Sequence, residues 1–147
     1  MSDRDVQALL GFAHAATGRP APTPVEVEAW CAFDSLHELT LAEGKAAVVS
    51  IVEAHKARGD RWSVSIDQVL SAARAARASR LQGRTPPTPP VDPDDVDAYR
   101  AWLTAWVSAA GRGLDDAAAT RAADSLCNTD SSRPVLLAAR PAEGGEQ

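Results

Sequence analysis

The sequence predicts an all-α protein: a small four-helix bundle over residues 1–84, a proline-rich linker over 85–93, a helical hairpin over 94–127 and a disordered tail over 128–147. Three observations predict it. Apolar residues recur at helical spacing between Pro or Gly breaks. Ser/Thr-x-x-Glu/Gln tetrads stand where those periodic runs begin, the pattern of a reciprocal N-terminal cap. Alanine, the best helix former, supplies much of an apolar content of 45%.

Val6, Leu9, Leu10 and Ala13 repeat at i, i+3, i+4 and i+7 behind a Ser2/Asp3 cap, so a first helix runs to near Gly18 before Arg19-Pro20-Ala21-Pro22 breaks it. In Thr23-Pro24-Val25-Glu26, Thr23 caps, Pro24 suits the first turn and Glu26 closes the box. The second helix carries Val27, Trp30, Phe33 or Asp34 and Leu36 or Leu39 along its length. Thr40-Leu41-Ala42-Glu43 opens a third, with Leu41, Val48, Ile51, Val52 and His55 on one stripe and Gly59 at its end. After the connector Arg61-Trp62-Ser63-Val64, Ser65-Ile66-Asp67-Gln68 opens a fourth. It buries Ile66, Val69 and Leu70, then offers only alanine from Ser71 onward and is expected to leave the core.

Thr85 to Pro93 is a semi-rigid linker, because proline removes donors and biases its predecessors to extended geometry. Beyond it Val96, Tyr99, Leu103, Trp106 and Ala110 form a stripe with Trp102 and Val107 beside it, ending at Gly111-Arg112-Gly113. An alanine-rich helix from Asp115 to Leu126 completes the hairpin. Two helices alone bury little, so the hairpin must dock on the bundle, self-associate or meet a partner. In the tail, Val135-Leu136-Leu137 is a candidate for local docking or a short linear motif.

At 147 residues the chain is too short for a large enzyme core. Its net charge of -5 argues against a generally basic nucleic-acid binder, but residues 1–84 carry 10 Lys/Arg against 10 Asp/Glu and residues 85–147 carry 5 against 10. Cys31 and Cys127 stand far apart without a metal-spaced partner, as buried thiols of a reducing cytoplasm do. The start Met1-Ser2-Asp3-Arg4-Asp5 lacks the layout of a signal peptide, and no run approaches the roughly 18 apolar residues of a membrane span. A cytoplasmic protein without membrane contact is expected.

The spacings of His14, His37 and His55 match no metal motif, and no serine elbow or phosphate loop is present. No catalysis, metal or cofactor is expected, and Asp94-Asp95 and Asp115-Asp116 read as favourable charges at helix starts. The best functional signal is an arginine ridge. Arg77, Arg80 and Arg84 fall within about 60° on a helical wheel, with Arg74 adjacent and no acid between Ser71 and Arg84. Such a ridge suits phosphates or an acidic protein face; the alternatives are a solvated face, or packing on the acidic Asp92–Asp97 segment of the same chain. The second signal is Tyr99, Trp102 and Trp106 with Leu103, for which helix packing is favoured and partner anchoring is the alternative.

From Leu9 to Arg84, Val6-Gln7-Ala8-Leu9-Leu10, the Trp30 helix with Phe33 and Leu36, Thr40-Leu41-Ala42-Glu43 with Ala46-Ala47-Val48 and His55, and the Ser65-Ile66 start leading to Arg74–Leu81 make up a pattern. It resembles the N-terminal helical domain of phage replicative-helicase loader/inhibitor proteins of the actinobacterial phage or prophage type. The resemblance implies an ordered N-terminal bundle and a helicase contact made by residues beyond Arg84. The expected function is a non-enzymatic DNA-replication adaptor that binds a replicative helicase or other replisome component. The partner-binding candidates are Arg74, Arg77, Arg80, Arg84, Tyr99, Trp102 and Trp106. The alternative is a DNA-binding or transcription-regulatory protein that uses the basic helix 66–84.

Overall fold

The helix starts marked in the sequence are closed by the reciprocal bonds their side chains allow. The computed structural model describes residues 1–56, 63–92 and 94–130. Among them are seven helices and no strand: α1 (Asp3–Ala16), α2 (Pro24–Cys31), α3 (Asp34–His37), α4 (Leu41–Lys56), α5 (Ile66–Leu81), α6 (Val96–Gly111) and α7 (Asp116–Asp130). Ser2/Asp5, Thr23/Glu26 and Ser65/Gln68 form capping boxes at α1, α2 and α5. At α4, the Glu43 backbone N–H donates to the Thr40 hydroxyl while Glu43 Oε2 accepts from the Thr40 backbone N–H at 2.9 Å. Each cap replaces hydrogen bonds that a helix start cannot make internally, an effect typically worth about 1 kcal/mol.

The expected second helix is divided. It stops at Cys31, and after Phe33 a single turn, α3, turns Leu36 and then Leu39 inward. Phe33 is left 46% exposed, because Trp30 on the first piece and Leu36 on the second take the inner positions. The bundle core includes Val6, Leu9 and Leu10 of α1, Trp30 of α2, Leu36 of α3, Val48, Ile51 and Val52 of α4, and Val69, Leu70 and Ala73 of α5. A buried Leu or Val of this kind contributes about 1.5–3 kcal/mol. Gly44 lets α1 approach α4 closely: a Cβ there would stand 2.7 Å from Leu9 Cδ2.

A second core lies in the hairpin. Trp102 and Trp106 fill the space between α6 and α7 against Ala109, Ala110, Ala119 and Ala123, all buried. The small alanines of α7 bring the two helices close enough for the indoles to cover the interface. Contrary to expectation, α5 does not leave the core at Ser71: Ala73 belongs to the bundle core, and Leu81 packs on the hairpin core. One continuous helix therefore serves both. The proline segment carries no regular structure but is not a free spacer, since Pro89 is buried and Pro90 and Val91 lie beside Asp124 and Cys127 of α7. Residues 128–130 continue α7, not the tail. Gly59, Arg61 and Trp62 lie outside the described residues, as does the tail with Val135-Leu136-Leu137.

His37 ties α3 to the start of α1. Its Nδ1 is 2.8 Å from the Met1 carbonyl and its Nε2 3.0 Å from the Cys31 carbonyl. Two carbonyls require two ring donors, which only the imidazolium supplies. The Cys31 and Met1 carbonyls therefore raise its pKa above 6.5, aided by Asp3 and opposed by partial burial and the α-amino group. Stability from this contact is complete below pH 6.5 and declines as pH rises through the elevated value. Chemical denaturation across this range should show the midpoint falling on the alkaline side in the wild type and a flatter profile in His37→Gln; parallel profiles would refute the contact.

Candidate functional site

α5 is helical from Ile66 to Leu81, so Arg74, Arg77 and Arg80 fall on successive turns, whereas Arg84, expected on the same helix, lies beyond its end because Gln82 is extended and Gly83 takes a φ of +77°; tertiary contacts decide what each one meets. Arg77 donates from Nε to Glu43 Oε1 at 2.8 Å and from Nη2 to Glu43 Oε2 at 2.9 Å, and also reaches the Glu38 carbonyl at 3.2 Å. This is a bidentate fork on a carboxylate only 7% exposed. Burial pushes the Glu43 carboxyl up, but the Arg77 hydrogen bonds, the Thr40 backbone N–H, the Arg77 charge and the Thr40 hydroxyl outweigh it and bring the pKa from 4.5 down to about 2.

One turn on, Arg80 Nη1 donates to the Gly111 carbonyl at 3.0 Å. Arg84 donates to the Ala110 carbonyl at 3.2 Å, pairs with Asp116, and stands 5.5 Å from the centroid of the Trp106 ring. The last carbonyls of a helix lack intrahelical donors and carry its negative pole. Arg80 and Arg84 supply donors to that end of α6. The ridge thus packs within the chain, at the opposite end of α6 from the Asp92–Asp97 segment. A phosphate backbone or an acidic protein face would have to displace these partners to engage Arg77, Arg80 or Arg84. Arg74 differs: it is exposed, with no carboxylate within 4.0 Å among the described residues.

The aromatic candidates divide as well. Trp102 is 0% exposed and Trp106 1%, so neither is available as a direct partner contact, and packing is their role. Trp102 Nε1 donates to Asp124 at 2.7 Å, which satisfies its polar atom inside the hairpin. Tyr99 is 39% exposed. The buried stripe of α6 is Trp102, Trp106, Ala109 and Ala110, rotated from the expected one because the two indoles claim the α7 side. Val96, Tyr99 and Val107 are left on another face, spanning with Leu103 about 80° of the helix, and Leu103 between them packs against the hairpin core. Of these, Val96 is 51% and Val107 41% exposed, and Leu103 is half-buried. Beside this face runs an open groove of about 500 Å³ between α5 and α6, lined by Leu81, Leu103, Thr104, Val107, Ser108 and Gly111 with Arg77 at its wall. Sequence reasoning placed Leu103 on the core stripe, where it does pack against the hairpin core, and Val107 beside it, where it is left 41% exposed; the angle of Val107 from the tryptophans was the available signal.

The remaining candidates are structural. His14 is buried with Nδ1 2.6 Å from the Pro20 carbonyl. Asp95 accepts from the Ala98 N–H at 3.0 Å and Asp115 from the Ala118 N–H at 2.7 Å, as acids at helix starts are expected to. Burial, with the charge of Asp3, raises the Cys31 thiol pKa, which disfavours a reactive thiolate. Among the described residues, no group of three His, Cys, Asp or Glu side chains could hold a metal ion, and no helix is long and apolar enough to cross a membrane. Comparison of the chain with family models, characterised proteins and solved structures gives no match.

Replacing Arg77, Arg80 and Arg84 together by alanine preserves helix propensity but leaves Glu43 buried without its cation and the α6 carbonyls without donors. We expect a stability loss of about 3 kcal/mol or more with far-UV helicity retained at low temperature. An unchanged Tm would mean that the ridge is merely solvated. Acid titration tests the same pair: Glu43's contribution, on the order of 3 kcal/mol, is complete above pH 4.5 and is lost as pH falls toward 2. Glu43→Gln should remove that part of the acid sensitivity, and an acid-unfolding curve parallel to the wild type would count against it.

Proposed function

We propose that this chain is a non-catalytic protein-binding adaptor of DNA replication, acting on a replicative helicase or another replisome component. The observation that carries the binding role is the apolar face of α6: Val96, Tyr99 and Val107 stand exposed beside an apolar groove, with Leu103 half-buried between them, while Trp102 and Trp106 fill the hairpin's own core. Contiguous apolar surface of this kind is what protein interfaces use. The class of partner rests on the resemblance of Leu9–Arg84 to helicase loader/inhibitor proteins, which implies a contact beyond Arg84, where α6 lies. The alternative of a DNA-gripping basic helix draws less support, since Arg77 and Arg80 of α5 and Arg84 beyond its end are engaged inside the chain.

Affinity capture from a host lysate with the wild type and with Val107→Glu, at an exposed position, tests the reading. A helicase or other replisome component should be recovered by the wild type and reduced at least about tenfold by the variant, the effect of a carboxylate forced into an apolar contact. Recovery of only transcription or cell-division factors, or equal recovery by both proteins, would overturn it. Duplex and single-stranded DNA should not be retained at low salt; affinity that falls linearly with salt on logarithmic axes would favour the DNA-binding alternative.

A further inference from the structure

We infer that the arginine ridge is a latent site for the phosphate backbone of a nucleic acid, covered in the closed protein by the C-terminal end of α6 and uncovered when the hairpin withdraws. The inference goes beyond the adaptor reading and does not depend on it. Arg80 and Arg84 donate to neutral carbonyls, those of Gly111 and Ala110. These carbonyls are the negative pole of α6, equivalent to about half an elementary charge. A helix end therefore occupies the place of an anion, with less charge than a phosphate brings. Among the described residues, the carboxylate that Arg84 meets is Asp116, 66% exposed, and the one 4.0 Å from Arg80 is Glu43, already held by the fork of Arg77. Arg74 has none within that distance, so four cations share two carboxylates.

The cover is lightly held. Bundle and hairpin each have their own buried core, and among the described residues Leu81 is the one bundle side chain that packs on the hairpin's. Past Leu81 and Gly111, α5 and α6 part around the open groove of about 500 Å³. The remainder of the junction is the contact of Gly111 with Arg77, the arginine bonds to carbonyls and one solvent-facing ion pair. Trp106, whose ring faces the Arg84 guanidinium, keeps a buried indole N–H that has no acceptor among the described residues, which weakens the closed arrangement. A small, polar interface between units with separate cores permits relative motion. The connection permits it too, because Thr85 to Asp92 carries no regular structure and the hairpin can withdraw without unwinding α5. Arginine suits the exchange, since its planar fork matches phosphate oxygens and is weakly hydrated. Only the open form offers the whole ridge, so the apparent affinity is the intrinsic one scaled by the open fraction.

Gly111 provides a wedge that leaves every charge in place. A Cβ there meets Arg77 and Leu81 at an ordinary separation, 3.6 and 3.7 Å, so Gly111→Ala fits the closed form, whereas the longer side chain of Gly111→Leu has to push α5 away. Small-angle X-ray scattering of the full chain reads the opening as a larger radius of gyration, and retention of a mixed-sequence DNA duplex across a salt series reads the site. Wild type and Gly111→Ala should stay compact and bind weakly. Gly111→Leu should expand and bind at least about tenfold more tightly at low salt, with affinity falling linearly on logarithmic axes. Adding Arg80→Ala and Arg84→Ala should remove the gain. Asp116→Asn, which takes the carboxylate from Arg84 at an exposed position, should give a smaller gain and serves if Gly111→Leu loses helicity or stays compact. No gain in either variant overturns the proposal, as does a gain that survives the loss of Arg80 and Arg84, or a wild type that already binds as tightly as Gly111→Leu. An equal gain toward polyglutamate overturns the assignment to a nucleic acid. Capture of a replisome component that Val107→Glu abolishes, with no DNA bound by any variant, sinks the latent site alone; DNA bound through the uncovered ridge, with no replisome component captured, sinks the adaptor reading alone.

Discussion

The fork of Arg77 on Glu43 is the contact on which the rest of the arrangement depends. Glu43 closes the N-terminal cap of α4 through Thr40 and at the same time holds α5 at its middle. Arg77 stands between Ala73, which belongs to the bundle core, and Leu81, which belongs to the hairpin core. Neither core is large, and small cores are individually marginal. A continuous helix clamped at its midpoint lets each stabilise the other. Because Glu43 is almost entirely buried, it remains charged only while its donors are in place, so the pair constrains geometry more strongly than its net energy indicates.

The end of α6 continues the same logic with different groups. Gly111 lies against Arg77 and Leu81 with only ordinary van der Waals separation left for a Cβ. That approach carries the last carbonyls of α6 to within reach of Arg80 and Arg84. The ion pair of Arg84 with Asp116, whose carboxylate is 66% exposed, adds little by itself in high dielectric. The carbonyl contacts are better shielded and satisfy acceptors that α6 leaves open.

Once the arginines are committed to this junction and the tryptophans to the hairpin, what remains exposed on α6 is the apolar side that carries Val96, Tyr99 and Val107. The hairpin can leave such a face exposed because the indoles pack on the alanines of α7, where Trp102 hydrogen-bonds to Asp124. The exposed apolar face is therefore a by-product of how the second core was filled by Trp102 and Trp106.

By itself the sequence determined the all-helical class, the starts of α1, α2, α4 and α5, the interruption by prolines after Arg84 and the existence of a terminal hairpin. Each of these is written in residues at most four apart, as a cap, a ring closure or a period. It did not determine the break between α2 and α3, where Phe33 fits the helical period as well as an inward residue would and the competition with Trp30 and Leu36 is spatial. Nor did it determine where the arginines point. Glu43 is 34 positions from Arg77, and Asp116 is 32 from Arg84, separations at which a basic ridge reads the same whether it is solvated, bound or clasped inward. Which side of α6 is buried was likewise open, because both of its stripes have helical spacing. Only the tertiary structure chose, through the larger area the tryptophans remove from water against α7.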